Sequence, residues 1–191
     1  MGNFAVFFDR DGTLNEDPGY LGDPNSLKLF PDTGKALSDL KKKLNLKLIV
    51  ISNQSGIARG ILTDEMVKSV NEKINSLLSE NGVAIDAFYY CPHHPDFSEK
   101  EDCYCRKPSP EMVFRAAKDF NIDLSHSFLV GDSVSDIECG KNAGVKTILV
   151  KTGYGEESLS MLQKQNIFPT FVAQNMSEVN NIIQKDFSGV T

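Results

Sequence analysis

The sequence predicts an α/β fold, a doubly wound parallel sheet with helices on both faces. Short apolar runs of strand length alternate along the chain with amphipathic segments of helix length, which is the pattern of βαβ units. The chain of 191 residues is 40% hydrophobic and 24% charged, so it can bury the core that such a sheet needs. No internal repeat or low-complexity segment interrupts the alternation. We therefore expect one domain over residues 1–191 and no large cap domain.

Six strands are predicted from short apolar runs bounded by polar residues or turn signals. The first is FAVFF, which ends at Asp9, and the second contains the run LKLIVI. The predicted ranges are residues 4–8, 46–51, 87–90, 127–130, 145–150 and 170–172. Right-handed connections should join these strands into a parallel sheet.

Six helices are predicted from apolar residues at helical spacing. The predicted ranges are residues 33–44, 63–81, 110–120, 135–142, 156–165 and 177–185. Cap signals support several ends. Asp32 is a possible N-cap of the first helix, Gly82 follows the second, and Pro110 stands in the first turn of the third.

Polar clusters follow four of the predicted strands, at the point where each strand ends. Their sequences are DRDGT (residues 9–13), SNQSG (52–56), CPHHP (91–95) and GDSVSD (131–136). The carboxyl ends of parallel strands meet at one edge of a sheet, so the four clusters should converge on one crevice. The two long stretches without predicted elements are residues 15–31 and 91–108. Loops of that length are usually functional.

Charge and hydropathy disfavour several classes of partner. Lys and Arg number 20 and Asp and Glu number 26, a net charge of −6 that argues against a nucleic-acid backbone as the main partner. No apolar run approaches the roughly 20 residues of a membrane span. The N-terminal MGNFAVFFDRDG is not a signal peptide pattern. We expect a cytoplasmic protein without a membrane partner, and a monomer, because no unexplained apolar stripe demands a dimer.

The carboxylates of the first and fourth clusters predict a cation site. Asp9 and Asp11 follow one strand, and Asp132 and Asp136 follow another. An Asp-Gly-Thr segment alone would be read as a turn or a helix cap. Three or four carboxylates in one crevice repel one another, however, and imply a bound cation. Oxygen ligands without a full protein cage suit Mg²⁺ that shares a phosphate.

The sequence FFDRDGTLN resembles the first motif of the haloacid dehalogenase superfamily. Ser52 after LIVI resembles the second motif, Lys107 the third, and GDSVSD at residues 131–136 the fourth. The resemblance runs from about Phe4 to Val150. It implies the Rossmann-like fold of that superfamily and a phosphatase that works through an aspartyl-phosphate.

The resemblance also implies a role for each motif residue. Asp9 would be the nucleophile that attacks phosphorus. Asp11 would protonate the leaving oxygen and then activate water. Mg²⁺ would be held by Asp9, the backbone carbonyl of Asp11, and Asp132. Ser52 and Lys107 would bind the phosphoryl oxygens as charge builds on them.

Two residues of the fourth predicted helix need separate interpretation. Asp136 could orient Asp132 or Lys107, or simply lie in the first turn of the helix, where a negative charge is favourable. Cys139 has no partner in the pattern and is predicted to be a core residue.

Cys91, His93, Cys103 and Cys105 form the pattern C-x-H-x9-C-x-C. Three thiolates and one imidazole make the closed tetrahedral set of a structural Zn²⁺ site. The alternative is buried cysteines beside a loop histidine, but the loop over residues 91–105 has little apolar surface and a metal would supply folding free energy. Spacing leaves His93 and His94 both open as the ligand, and the resemblance favours His93. In a cytoplasmic protein, metal binding is expected more than disulfides.

The zinc loop resembles two groups within the superfamily, one acting on a bisphosphorylated heptose and one on histidinol phosphate. The loop NQSGIARG is similar to that of the heptose group. The resemblance implies a small phosphorylated sugar as substrate, contacted by Asp17, Gly19, Tyr20, Asn53, Gln54, Ser55, Arg59, Arg106 and Ser133.

Physical reasoning supports part of this set. A second, unreactive phosphate needs a cation, and the guanidinium forks of Arg59 and Arg106 suit it. Arg59 could equally be a surface charge. Asp-Pro-Gly at residues 17–19 is also a turn signal. Ser133 stands where well-known members of the heptose group carry a lysine.

Other functions are less well supported by the sequence. A histidinol-phosphate phosphatase or a polynucleotide 3′-phosphatase would use the same scaffold. The acidic balance and the lack of basic stripes interleaved with aromatic residues argue against a nucleic-acid substrate. A zinc-stabilised binding module without chemistry would not need every catalytic position intact. A redox role for Cys103 and Cys105 is weaker still. A Rossmann dehydrogenase is excluded because the first strand is followed by DRDGT and not by GxGxxG.

Overall fold

Six parallel strands form one sheet in the order β3-β2-β1-β4-β5-β6. The computed structural model describes residues 3–189, without the side chains of residues 100–102. Strands β1 to β6 are Ala5–Phe8, Lys47–Asn53, Ala87–Cys91, Phe128–Gly131, Lys146–Val150 and Phe171–Ala173. Helices α1 to α6 are Thr33–Leu44, Asp64–Leu78, Glu111–Phe120, Val134–Ala143, Gly155–Lys164 and Met176–Ser188. The predicted fold class is confirmed.

Every predicted strand and helix is present, with ends within three residues of the predicted ones. The short 3-10 helices at Pro24–Ser26, Lys100–Cys105 and Leu124–His126 are not predicted, because one or two turns leave no clear periodic pattern. Asp32 does precede α1, but its carboxylate makes no cap hydrogen bond there. It accepts instead from the Ser177 N–H at 2.6 Å, and so joins α1 to the start of α6.

The two faces of the sheet bury different side chains of the same strands. In β1, Val6 and Phe8 pack in the cluster that includes residues of α1, α2 and α6. Ala5 and Phe7 pack on the other face, with residues of α3 and α4. All four side chains of β1 are fully buried, as expected for a central parallel strand. Within residues 3–189, no helix is both long and apolar enough to cross a membrane.

The strand order reverses between β1 and β4, and this places the functional crevice. From β1 the sheet grows through β2 and β3 on one side, and from β4 through β5 and β6 on the other. Ligands of open α/β sheets bind at such a switch point, beyond the carboxyl ends of the strands. Asp9 follows β1 there, and its N–H donates to the carbonyl of Val130 in β4 at 2.9 Å. Asp132 follows β4 directly.

Ser127 should hold β1 against β4. Its fully buried hydroxyl accepts from the Ala5 N–H at 3.0 Å and donates to the Asp123 carbonyl at 2.7 Å. Ser127→Ala removes both of these buried hydrogen bonds, and we expect the free energy of unfolding to fall by about 1–3 kcal/mol. Ser160→Ala on the exposed face of α5 should change it by less than about 0.5 kcal/mol. Urea unfolding measures both, and equal midpoints for the two variants would contradict the assignment.

Candidate active site

A polar cleft of about 290 Å³ opens at the carboxyl ends of β1, β2 and β4. It is lined by Asp9, Asp11, Asp17, Gly19, Ser52, Asn53, Arg106, Lys107, Asp132, Ser133, Ser135 and Tyr154. The structure therefore brings together residues from three of the four predicted clusters and from the two long stretches over residues 15–31 and 91–108, whereas none of the CPHHP cluster is in the lining. Of the lining residues, only Ser135 and Tyr154 are not among the predicted site residues.

Lys107 links two carboxylates at the floor of the cleft. Its Nζ lies 2.5 Å from Asp9 Oδ1 and 2.6 Å from Asp136 Oδ1, and it donates to the Ile51 carbonyl at 2.9 Å. Burial by itself lowers the pKa of Lys107, but the Asp136 and Asp9 carboxylates outweigh it and the net shift is upward. The lysine is therefore a permanent cation beside Asp9.

Asp9 is held in a strongly desolvated position. Burial raises its pKa well above the ordinary value, the charges of Asp136 and Asp132 add to that rise, and Lys107 opposes it. Burial, followed by the charge of Asp136, likewise raises the pKa of Asp132 to about 6. A further positive charge in the cleft would stabilise all three carboxylates in their ionised forms.

The acidic residues fit a divalent cation. Ligand oxygens of Asp9, Asp132 and Asp136 all lie within 4.8 Å of one another, and carboxylate oxygens are the ligands that Mg²⁺ prefers. Asp132 is oriented by Thr13 Oγ1, which donates to its Oδ1 at 3.2 Å, and by the Tyr154 N–H, which donates to its Oδ2 at 2.8 Å. The desolvation of this donor set is the observation that favours a bound cation.

Asp136 has two structural roles, which answers the question that its sequence position left open. Besides pairing with Lys107, it belongs to the capping box of α4. Its Oδ2 accepts from the Ser133 N–H at 3.0 Å and from the Ser133 hydroxyl at 2.6 Å. Ser133 lines the cleft, but its hydroxyl is already used at the start of α4.

The loop after β5 contributes to the site, and sequence reasoning missed it. Thr152 Oγ1 donates to the Gly12 carbonyl at 2.6 Å, and the Tyr154 N–H reaches Asp132. Gly153 lies between them with φ of +53°, and a Cβ at this position would overlap the Asp132 carboxylate and the Gly12 backbone. The signal was the Thr-Gly-Tyr-Gly segment at the end of a predicted strand, the same place where the other clusters occur.

The loop after β2 supports the site more than it lines it. The Gln54 amide donates to Ser52 Oγ at 2.7 Å and to Asp11 Oδ2 at 3.0 Å. Asn53 and Lys107 hold each other through two hydrogen bonds, from Lys107 N to Asn53 Oδ1 at 3.0 Å and from Asn53 Nδ2 to the Lys107 carbonyl at 3.2 Å. Four predicted substrate contacts are not part of the cleft lining: Tyr20, Gln54, Ser55 and Arg59.

The two predicted arginines differ in their surroundings. Arg106 lines the cleft and its Nη1 donates to the His93 carbonyl at 3.4 Å. Burial, with a smaller effect from the charge of Arg59, lowers its pKa. The Arg59 guanidinium lies 4.4 Å from the centre of the Phe97 ring and 3.0 Å from His94 Nε2. Arg106 is therefore available to an anion in the cleft, whereas Arg59 packs against Phe97 and His94 outside the lining.

The Cys/His loop differs from the predicted arrangement in two respects. The structure joins Cys91 and Cys105 as a disulfide, with Cα atoms 5.5 Å apart, where the sequence led us to expect metal ligands. Cys103 is a half-buried free thiol outside the metal-competent group of Cys91, His93 and Cys105. In the disulfide the two sulfurs are not thiolates, which are the form of cysteine that binds a metal.

The structure distinguishes between the two histidines. His93 Nδ1 lies 3.5 Å from Cys105 Sγ and 4.0 Å from Cys91 Sγ. His94 instead faces Arg59 and accepts from the Asp96 N–H at 3.2 Å. His93 is thus the histidine beside the sulfurs. Cys139 is a fully buried core residue, as predicted.

Comparisons with known proteins agree with the fold. The family model described as HAD-hydrolase-like matches residues 104–179. The D-glycero-D-manno-heptose-1,7-bisphosphate 7-phosphatase of Chlorobaculum tepidum is 42% identical over 181 residues, 90% of this chain and 89% of that protein. The D-glycero-beta-D-manno-heptose-1,7-bisphosphate 7-phosphatase of Pasteurella multocida is 43% identical over 152 residues, 78% of this chain and 82% of that protein.

A solved structure is also similar. The crystal structure of D,D-heptose 1,7-bisphosphate phosphatase from B. bronchiseptica, complexed with magnesium and phosphate, has a TM-score of 0.86 and 29% identity, and covers 96% of this chain and 99% of that one. The chain therefore belongs to the haloacid dehalogenase-like hydrolases. Within them it belongs to the family of the heptose-bisphosphate phosphatases, which are phosphoric monoester hydrolases.

Gly153→Ala tests the contribution of the loop after β5. The added Cβ should displace the Asp132 carboxylate, and a displacement of about 1 Å in a catalytic centre lowers activity about 100-fold. Gly144→Ala is the matched control, because Gly144 also has a positive φ, +74°, but a Cβ there meets nothing within 4 Å. We expect the control to lose stability and keep kcat/KM for phosphate release. Equal kcat/KM values in the two variants would contradict this role of Gly153.

Proposed function

We propose that the protein is a Mg²⁺-dependent phosphatase that removes the 7-phosphate of D-glycero-D-manno-heptose 1,7-bisphosphate through an aspartyl-phosphate on Asp9. One observation carries the chemistry. Asp9 lies at the strand switch point with a permanent cation, Lys107, 2.5 Å away and two further carboxylates within metal-binding distance. A nucleophile, an electrostatic partner for a phosphoryl group and an oxygen-ligand site for a cation are thus within one cleft.

The residues divide the reaction between them. An Asp9 carboxylate oxygen attacks phosphorus while the bond from phosphorus to the sugar oxygen breaks, and the Asp11 carboxyl donates a proton to that oxygen. Asp11 then removes a proton from water as the water attacks the aspartyl-phosphate, which releases phosphate and restores Asp9. Lys107 and Ser52 hold the phosphoryl oxygens. Asp9, Asp132 and the Asp11 carbonyl would hold Mg²⁺, which would offset the repulsion between the carboxylate and the phosphate.

The substrate assignment rests on the relatives and on the size and charge of the cleft. The cleft has a volume of about 290 Å³, which fits a small molecule, and its lining is polar. A bisphosphate has a second anionic group, and Arg106 offers it a guanidinium at the cleft wall. Asp17 and Gly19 also line the cleft and would contact sugar hydroxyls.

We also propose that Cys91, His93, Cys103 and Cys105 hold a structural Zn²⁺ when the thiols are reduced. The ligand atoms of Cys91, His93 and Cys105 already lie within 4.8 Å of one another, which is close enough for them to bind one zinc ion. Reduction frees the Cys91–Cys105 pair, and Cys103 is two residues from Cys105. A reducing compartment such as the cytoplasm favours this state. The zinc would hold Arg106 and Lys107 in place.

The enzymatic proposal is tested by phosphate release with Mg²⁺ from both anomers of the heptose 1,7-bisphosphate and from histidinol phosphate. We expect kcat/KM for one heptose anomer to exceed that for histidinol phosphate by at least about 100-fold. Asp9→Asn should reduce kcat by more than about 1,000-fold, and Asp39→Asn on α1, outside the cleft, should leave it unchanged. Preference for histidinol phosphate would overturn the substrate, and an active Asp9→Asn variant would overturn the chemistry.

The zinc proposal is tested by metal analysis of protein purified with reduced thiols. We expect one Zn²⁺ per chain, and we expect a chelator to lower Tm, because metal binding contributes to folding. Cys103→Ser should lower zinc affinity, and Cys139→Ala should leave the zinc content unchanged. Reduced protein without zinc, or with equal affinity in the Cys103→Ser variant, would contradict the four-ligand site.

A further inference from the structure

Arg10 stands between the two catalytic aspartates in sequence and yet has no place in the proposed mechanism. Its side chain is the largest among the fully buried ones, with a relative exposure of 1%. A buried guanidinium is costly unless it is paired and hydrogen-bonded. The buried guanidinium of Arg10 must therefore have a partner that offsets the cost of its desolvation.

The partner of Arg10 is the carboxylate of Asp11. Arg10 Nε lies 3.1 Å from both Asp11 oxygens, and Arg10 Nη2 lies 2.7 Å from Oδ2. Such a planar fork fixes the orientation of a carboxylate as well as its position. Because arginine stays protonated in proteins, Arg10 cannot itself exchange protons with the substrate. Any effect on the reaction must pass through Asp11.

The Arg10 guanidinium is itself held in place by a residue of α2. Arg10 Nη1 donates to Asn71 Oδ1 at 3.3 Å, and Asn71 is a buried residue of α2. The Asp11 carboxylate also accepts from Asn15 Nδ2 at 2.9 Å and from Gln54 Nε2 at 3.0 Å. Its donors therefore come from its own loop and from the loop after β2. Among them Arg10 brings the positive charge and a link to a helix.

The backbone of Arg10 has a separate structural role. Its carbonyl accepts from the N–H groups of Leu14 at 2.9 Å and Asn15 at 3.3 Å, which closes the turn after β1. Replacement of the side chain does not remove these bonds. The role of the guanidinium can therefore be separated by substitution from the structure of the turn.

We propose that Arg10 is a positioning residue that aims the Asp11 carboxyl at the leaving oxygen and at the attacking water. This inference rests on the proposed function, in which Asp11 is the general acid and base. Without the fork, the Asp11 carboxyl keeps only its bonds to Asn15 and Gln54, is less firmly oriented, and meets the reacting oxygen less often. The loss should be largest for substrates whose leaving group needs a proton.

A series of aryl phosphates with leaving groups from p-nitrophenol to p-methoxyphenol tests the inference. The kcat/KM for p-nitrophenyl phosphate reports a step in which the leaving group departs without a proton. In Arg10→Met we expect kcat/KM to fall about 10- to 100-fold more for p-methoxyphenyl phosphate than for p-nitrophenyl phosphate, a part of the usual contribution of general acid catalysis. The variant should also accumulate phosphorylated enzyme during p-nitrophenyl phosphate turnover, because water activation is impaired.

Two more variants keep the test decisive. Arg10→Lys retains the charge without the fork and covers the case in which Arg10→Met does not fold; its selective loss should be intermediate. Asn71→Ala removes the anchor on α2 and should give a smaller loss in the same direction. A purely structural role would lower kcat/KM equally for all aryl phosphates, without phosphoenzyme accumulation, and this result in Arg10→Met or Arg10→Lys would overturn the inference. Failure of the proposed function is distinct, since the unsubstituted protein would then be inactive on the whole series.

Discussion

The ion cluster of Lys107 with Asp9 and Asp136 is the constraint on which the rest of the site depends. Parallel strands bring their carboxyl ends to one edge, and this chain puts acidic residues at two of them. Carboxylates desolvated together cannot all stay ionised unaided. Lys107, fully paired and hydrogen-bonded to Ile51, offsets part of that repulsion. The same lysine follows the Cys/His loop closely in sequence, so the end of that loop lies next to the floor of the cleft.

Each of the two aspartates of the first motif forms an ion pair with a different cationic side chain. Asp9 pairs with Lys107, which comes from a distant loop, and Asp11 pairs with Arg10, its immediate neighbour. The two residues need different properties in the proposed reaction, one as a nucleophile and one as a carrier of protons. Separate partners allow each carboxylate to be held and oriented independently, although both line one cleft.

The Cys91–Cys105 disulfide closes the Cys/His loop in the structure. In the proposed reduced state, a zinc ion would use the same two sulfurs. Either one closes the loop that leads directly into Arg106 and Lys107. The loop has few apolar residues of its own, so a covalent or metal link is the physical means by which it can hold two cations at the cleft.

The sequence by itself indicated the succession of strands and helices along the chain and a crevice at the carboxyl ends of the strands, because periodicity and strand-end clusters are local signals. The motif residues that line the crevice followed from the resemblance to a known superfamily. The sequence also indicated Cys91, His93, Cys103 and Cys105 as one group, of which the structure brings Cys91, His93 and Cys105 together. Only the tertiary structure decided that Arg10 turns its guanidinium back to Asp11, that Gly153 and Tyr154 close on Asp132, and that Gln54 supports Ser52 without lining the cleft. These contacts depend on how long side chains and a loop distant in sequence are placed in three dimensions. Residue spacing along the chain does not reveal that placement.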